Sequence, residues 1–157
     1  MPIVRILVDG YSLLHEWPEL APGAARHSAA ARDALLQVLT QYRDATHTPI
    51  TVFFDGQGAP PGTPKPHSGP DLEVIFSGAG KTADDLIERV AYRLKAWGEV
   101  LVVSNDRAER DLVSGFGGLT AACPLFMAQV RGVLQDLDAD VRLHNRREAA
   151  RYRNGGR

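Results

Sequence analysis

The chain has 157 residues, 44% hydrophobic and 24% charged, with a formal net charge of −1, a composition suited to one soluble domain built on a single core. That charge argues against a polyanion binder acting through its whole surface, and the single cysteine, Cys123, excludes an intrachain disulfide or a zinc cluster and suits a reducing cytoplasm. No apolar run reaches membrane-spanning length, and a strand pattern begins at Ile3, so neither a membrane anchor nor a signal peptide is expected.

Ile3 to Val8 is a short, β-branched apolar run interrupted by Arg5, the pattern of a buried parallel strand, and Asp9-Gly10 ends it. Residues 15–27 carry Trp17-Pro18 and Pro22-Gly23 and read as loop. A helix is predicted from about Ser28, with Ala31, Leu35, Val38, Leu39 and Tyr42 at helical spacing. Ile50 to Phe54 forms a second strand, closed by Asp55-Gly56. The Gly- and Pro-rich residues 56–70 form an exposed loop that contains Lys65.

Leu72 to Phe76 is a third strand. The following helix starts near Ala83, places Leu86, Ile87, Val90, Leu94 and Trp97 on one face, and stops at Gly98. Val100 to Val103 is a fourth strand, and a short helix runs from Arg107 to Gly115. Pro124 suits the first turn of a last helix, reaching about Leu137, and Val141 to Leu143 reads as an edge strand. Residues 1–144 then make one domain. Residues 145–157 make an Arg-rich tail, frayed or disordered. Alternating strands and helices predict a three-layer α/β/α sandwich with a mostly parallel central sheet. In such a sheet ligands bind at the C-terminal strand ends, where Asp9, Asp55, Asp84 and Asp106 all fall.

Each acid also has a purely structural use. Thr82 and Asp85 are spaced as a capping box, as are Asp106 and Glu109, and Asp55-Gly56 is ordinary turn chemistry. Asp84 has no such task, and Asp9 ends a buried strand, where an unpaired carboxylate is costly. Carboxylates gathered at one edge would repel one another and raise each other's pKa. A hard cation such as Mg²⁺ or Mn²⁺ relieves that repulsion, because it prefers oxygen ligands. Asp9, Asp84 and Asp106 are therefore the candidate catalytic and metal-ligating residues, with Asp55 and Asp85 as further metal candidates. The five histidines are scattered and offer no competing cluster.

Gly78, Gly80, Lys81 and Thr82 look like the end of a phosphate-binding loop. That motif needs a glycine five residues before Gly80, where this chain has Ile75. An aspartyl phosphatase needs a second acid where Tyr11 stands, and a receiver domain needs more elements between Asp9 and Asp55. Lys81, Arg107, Arg110, Lys65 and the Arg-rich tail are the basic residues suited to gripping phosphates. Ser12 is a candidate donor to a metal ligand or a phosphate, and Tyr11 or Trp17 could stack on an unpaired base.

The segments VDGYSLLHEWPEL, AARDALLQVLTQYR, TVFFDG, EVIFSGAGKTADDLIE and VVSNDRAERD, in this order, resemble the YacP-type NYN domains of the PIN-like nuclease superfamily. The resemblance covers about residues 3–130. It implies a PIN-like fold and metal-dependent endoribonuclease activity on single-stranded RNA, in some members on messenger RNA at the ribosome. It places the motif acids on Asp9, Asp84 and Asp106. Ser12 stands where the family usually has Asn, and Ala122 to Leu125 replace a more polar helix start. The reading is a cytoplasmic endoribonuclease using Mg²⁺ or Mn²⁺, with attack on phosphorus by a metal-bound water. The alternative is a non-catalytic RNA- or ribosome-binding module that keeps the fold.

Overall fold

The computed structural model describes residues 2–56, 72–78 and 80–155. The predicted loop over 56–70 lies outside these residues apart from Gly56. Five strands form one sheet: β1 (Ile3–Asp9), β2 (Ile50–Phe54), β3 (Leu72–Phe76), β4 (Glu99–Val103) and β5 (Leu119–Ala121). Their order is β3-β2-β1-β4-β5, and every pairing is parallel. The expected α/β architecture is therefore present, and its sheet is wholly parallel. The helices are α1 (Gly10–Glu16), α2 (Ala29–Thr46), α3 (Ala83–Leu94), α4 (Arg107–Gly115) and α5 (Cys123–Gly155). None among the described residues is long and apolar enough to cross a membrane.

The two-residue alternation of the strands divides the core between the sheet faces. Ile6, Val8, Ile50, Val52 and Phe54 pack with Leu13 of α1, Leu35 and Leu39 of α2, and Phe126 and Val130 of α5. Leu7, Phe53, Val100 and Val102 point the other way, onto Ala83, Ile87 and Ala91 of α3 and Val113 of α4. β1 is the central strand, so its residues from Ile6 to Val8 are buried on both sides. Arg5, the polar interruption in that strand, donates from Nη1 to Thr51 Oγ1 at 2.9 Å, and Thr51 Oγ1 donates to Glu73 Oε1 at 3.2 Å.

Four sequence expectations are corrected. Gly10 opens a helix, Gly10–Glu16, that takes His15 and Glu16 out of the expected loop, because Asp9 caps it through Ser12. Gly10 is required there, since a Cβ would lie 2.3 Å from Phe54 Cε1. Trp97 is 80% exposed rather than on the apolar face of α3, because the helix tightens into a 3₁₀ turn over Lys95–Trp97 before Gly98. The edge strand is Leu119–Ala121, paired with β4, and Val141–Leu143 lies within α5. The last helix does not end near Leu137 but runs on to Gly155, so residues 145–155 of the expected tail are helical.

Candidate active site

The acids are assembled by the N-termini of three helices around the end of β1. At that end Asp9 is both the last strand residue and the N-cap of α1. The backbone N–H of Ser12 donates to Asp9 Oδ1 at 3.3 Å and Ser12 Oγ donates to Oδ2 at 2.9 Å. Ser12 therefore holds one carboxylate oxygen with its backbone N–H and the other with its hydroxyl.

α3 opens with the capping box expected from Thr82 and Asp85: Asp85 N–H donates to Thr82 Oγ1 at 3.1 Å, and Thr82 N–H donates to Asp85 Oδ2 at 3.3 Å. The box uses Asp85, which is exposed, and leaves half-buried Asp84 between its two members.

α4 behaves differently from the expected second box. Asp106 Oδ1 accepts from Ala108 N–H at 2.9 Å and Glu109 N–H at 3.3 Å, while the Asp106 N–H donates to Ser104 Oγ at 3.0 Å. Glu109 makes no return bond to the cap. It is 2% exposed, and among the described residues neither of its oxygens has a hydrogen-bond partner of good geometry.

One oxygen each from Asp9, Asp84 and Glu109 lie within 4.8 Å of one another. Asp106 is exposed and stands beside Asp84, whose carboxyl it pushes up, but it is not part of that group. Glu109 is the member that sequence reasoning missed. The available signal was its position four residues before Val113, on the face of α4 that turns inward. A carboxylate on an apolar helix face needs a partner more than one at a helix start does.

Burial raises the pKa of Asp9 above its usual value; the bonds from Ser12 pull it back, and the charge of Asp84 adds to the rise. Asp84 is also raised, first by burial and then by Asp106, against a lowering contact with Glu109. Glu109 is pushed up to about 8 by burial, offset in part by nearby Ser104, with further elevation from Asp84 and Asp9. Among the described residues no ion pair joins Asp9, Asp84 or Glu109 to a basic side chain. Negative charge is thus concentrated without compensation, and Glu109 keeps unpaired acceptors. An all-oxygen donor set of this size fits a hard divalent cation. Cys123 is buried and its thiol is pushed up to about 12, first by burial and then by Asp9, so no thiolate competes.

The remaining candidates are placed as follows. Asp55 Oδ1 accepts from Ser77 Oγ at 3.2 Å, and Asp55 lies outside the three-acid group. Tyr11 is half-buried and packs against the core: its ring centroid is 4.2 Å from that of His27 and 5.0 Å from that of Phe54, and its hydroxyl accepts from Arg32 Nη1 at 3.2 Å. Trp17 is buried, 6% exposed, beneath the guanidinium of Arg131. Arg110 Nη1 donates to Ser104 O at 2.7 Å, which fixes its side chain against the β4–α4 connection. Arg107 projects into solvent, 4.0 Å from Asp111, and Lys81 is exposed in the turn before α3. Lys65 lies outside the described residues.

Residues 6–154 match the family model of the YacP-like NYN domain. An uncharacterized protein YacP of Bacillus subtilis (strain 168) is 30% identical over 138 residues, covering 87% of this chain and 81% of that protein. Two crystal structures of Rae1 (YacP) from Bacillus subtilis share the fold with a TM-score of 0.77. One is 28% identical and covers 97% of this chain and 86% of that one; the other, a single-substitution mutant, is 27% identical over 91% and 84%.

Proposed function

The chain belongs to the YacP-like NYN domain family, a nuclease-type group, and on that premise we propose that it is a metal-dependent endoribonuclease acting on single-stranded RNA. The observation that supports this most directly is the meeting of Asp9, Asp84 and Glu109 oxygens within 4.8 Å, with no ion-paired basic side chain among the described residues. These three would hold the cation, Mg²⁺ or Mn²⁺, with Asp106 as an adjacent carboxylate on the Asp84 side. When bound, such an ion supplies Lewis acidity, polarising a phosphoryl oxygen and lowering the pKa of water.

The protein's own contribution is positional and electrostatic. Ser12 holds Asp9 in one rotamer, and the N-terminal turn of α3 presents Asp84 at the positive end of a helix. Glu109 holds a proton on its carboxyl near neutral pH and gives it up when a cation competes for the same oxygens. Lys81, exposed in the turn before α3, and Arg107, exposed at the start of α4, would neutralise phosphates on either side of the scissile one. Messenger RNA at the ribosome is the setting suggested by the family resemblance.

The test is cleavage of a labelled unstructured RNA with and without Mn²⁺, using Asp9→Asn as control. Metal-dependent products that carry a 5′-phosphate and vanish in the variant are expected. Undiminished cutting in EDTA, or by the variant, overturns the proposal. A chain that binds RNA, takes up no metal and never cuts it would instead be a binding module.

A further inference from the structure

The last helix carries more chain than the domain can cover. Every residue of α5 from Gln135 to Asn154 is exposed. At the rise of an α-helix these twenty residues make an arm about 30 Å long. Its internal support comes from i,i+3 and i,i+4 pairs such as Arg142–Asp138 at 3.0 Å and Arg151–Glu148 at 3.3 Å, contacts worth little in water. A helix of this length without tertiary packing is marginal by itself, so an occupant that orders it gains stability from the contact.

The charges along the arm are segregated. Asp136, Asp138 and Asp140 lie near its base, where Asp138 pairs with Arg142, and Arg146, Arg147, Arg151 and Arg153 lie beyond, opposed by Glu148 alone. The whole chain has a net charge of −1, so the rest of it is acidic and the outer arm is a separate cationic pole. At about 100° per residue, Arg142, Arg146 and Arg153 project within about 40° of one another, spread over about 17 Å of helix. Tyr152, 85% exposed, lies about 100° around the helix from the middle of this row.

We propose that the outer half of α5 is a phosphate-backbone grip that holds single-stranded RNA at a point remote from the acidic centre. Guanidinium groups suit phosphate oxygens, and an exposed tyrosine offers a face for an unpaired base. The N-terminus of α5 lies at the sheet edge of the acids, where Cys123 N–H donates to Asn105 Oδ1 at 3.0 Å. Arg142 to Arg153 therefore lie about 30–45 Å along the helix from that edge, so the arm contributes affinity and register but not chemistry. RNA as the occupant rests on the nuclease reading. The acidic base of the arm disfavours its lying flat on an anionic lipid surface.

The test is fluorescence anisotropy of a labelled unstructured RNA of about twenty nucleotides, in EDTA so that no cleavage occurs, across about 50–200 mM KCl. The Arg142→Gln/Arg146→Gln/Arg153→Gln variant is expected to raise Kd at least about tenfold and to flatten the salt dependence by about two, the loss of three single-strand phosphate contacts. Its circular dichroism should match that of the parent, and in Mn²⁺ its KM should rise while kcat stays unchanged. Equal Kd and equal salt dependence for variant and parent overturn the proposal, as does a parent with no RNA affinity. Arm-dependent binding to phosphatidylglycerol vesicles, or arm-dependent dimerisation, with RNA affinity unaltered by the variant, also overturns it. The two readings separate cleanly: Asp84→Asn should keep arm-dependent binding without cleavage, and arm-dependent binding by a parent that never cleaves would remove the nuclease alone.

Discussion

Glu109 lies three residues beyond Asp106 in the first turn of α4, and this step separates the carboxylate that caps the helix from the one that meets Asp9 and Asp84. Both acids belong to a sequence pattern that reads as a reciprocal capping box, yet the cap works in one direction only. The N-cap N–H is taken by Ser104, which leaves Glu109 to turn inward.

Asp84→Asn should reduce metal-dependent cleavage by more than the roughly 100-fold typical of losing a side chain that only orients a ligand, with the fold retained. Single-turnover cleavage assays with circular dichroism as a fold control check this. Asp106→Ala should behave differently. It removes the cap of α4 and should cost about 1 kcal/mol of stability, with a smaller loss of cleavage than Asp84→Asn. Equal losses of cleavage would promote Asp106 to a full ligand.

Glu109→Gln should stabilise the metal-free protein at neutral pH. The Glu109 pKa is raised from 4.5 to about 8, so the folded state holds its proton more tightly than the unfolded chain. That stabilisation is fully present below about pH 4.5 and lost as pH rises through about 8. At pH 7 ionisation of the unfolded chain costs the metal-free fold on the order of 3 kcal/mol, which the neutral amide avoids. Thermal melts in EDTA should place the variant several degrees above the parent at pH 7, with the difference shrinking toward pH 4.5. A variant less stable than the parent at pH 7 would contradict this.

Metal affinity should increase with pH. Each cation that binds must displace the proton from Glu109, so apparent Mn²⁺ affinity should climb up to about tenfold per pH unit below about 8 and level off above it. Calorimetric titrations in buffers of different ionisation enthalpy should show about one proton released per ion near pH 7. Affinity that is flat between pH 6 and 8 would show Glu109 to be uninvolved.

Ser12→Ala should weaken Mn²⁺ binding by about 10–100-fold while leaving the fold intact, because it removes the hydroxyl that holds Asp9 Oδ2 and keeps the backbone N–H bond to Oδ1 that caps α1. Ser12→Asn should restore most of that loss, since an amide N–H₂ can replace the hydroxyl donor. An alanine variant with unchanged metal affinity would reduce Ser12 to a capping partner.

Much of this molecule was legible in its residue pattern. Apolar runs ending in Asp9 and near Asp106, separated by helical spacings, are enough for a parallel sheet with acids at one edge, because burial on both faces imposes continuous β-branched strands. The Thr82–Asp85 box and the consequent freedom of Asp84 were also readable, since capping depends on neighbours three residues apart.

Long-range competition decided the rest. β5 at Leu119–Ala121 is only three residues long and exists because the edge of β4 is open to it, which in turn releases Val141–Leu143 to the helix. Glu109 could be assigned to the acidic group only once α4 was docked with Val113 in the core, because the inward direction of a helix face depends on what it packs against.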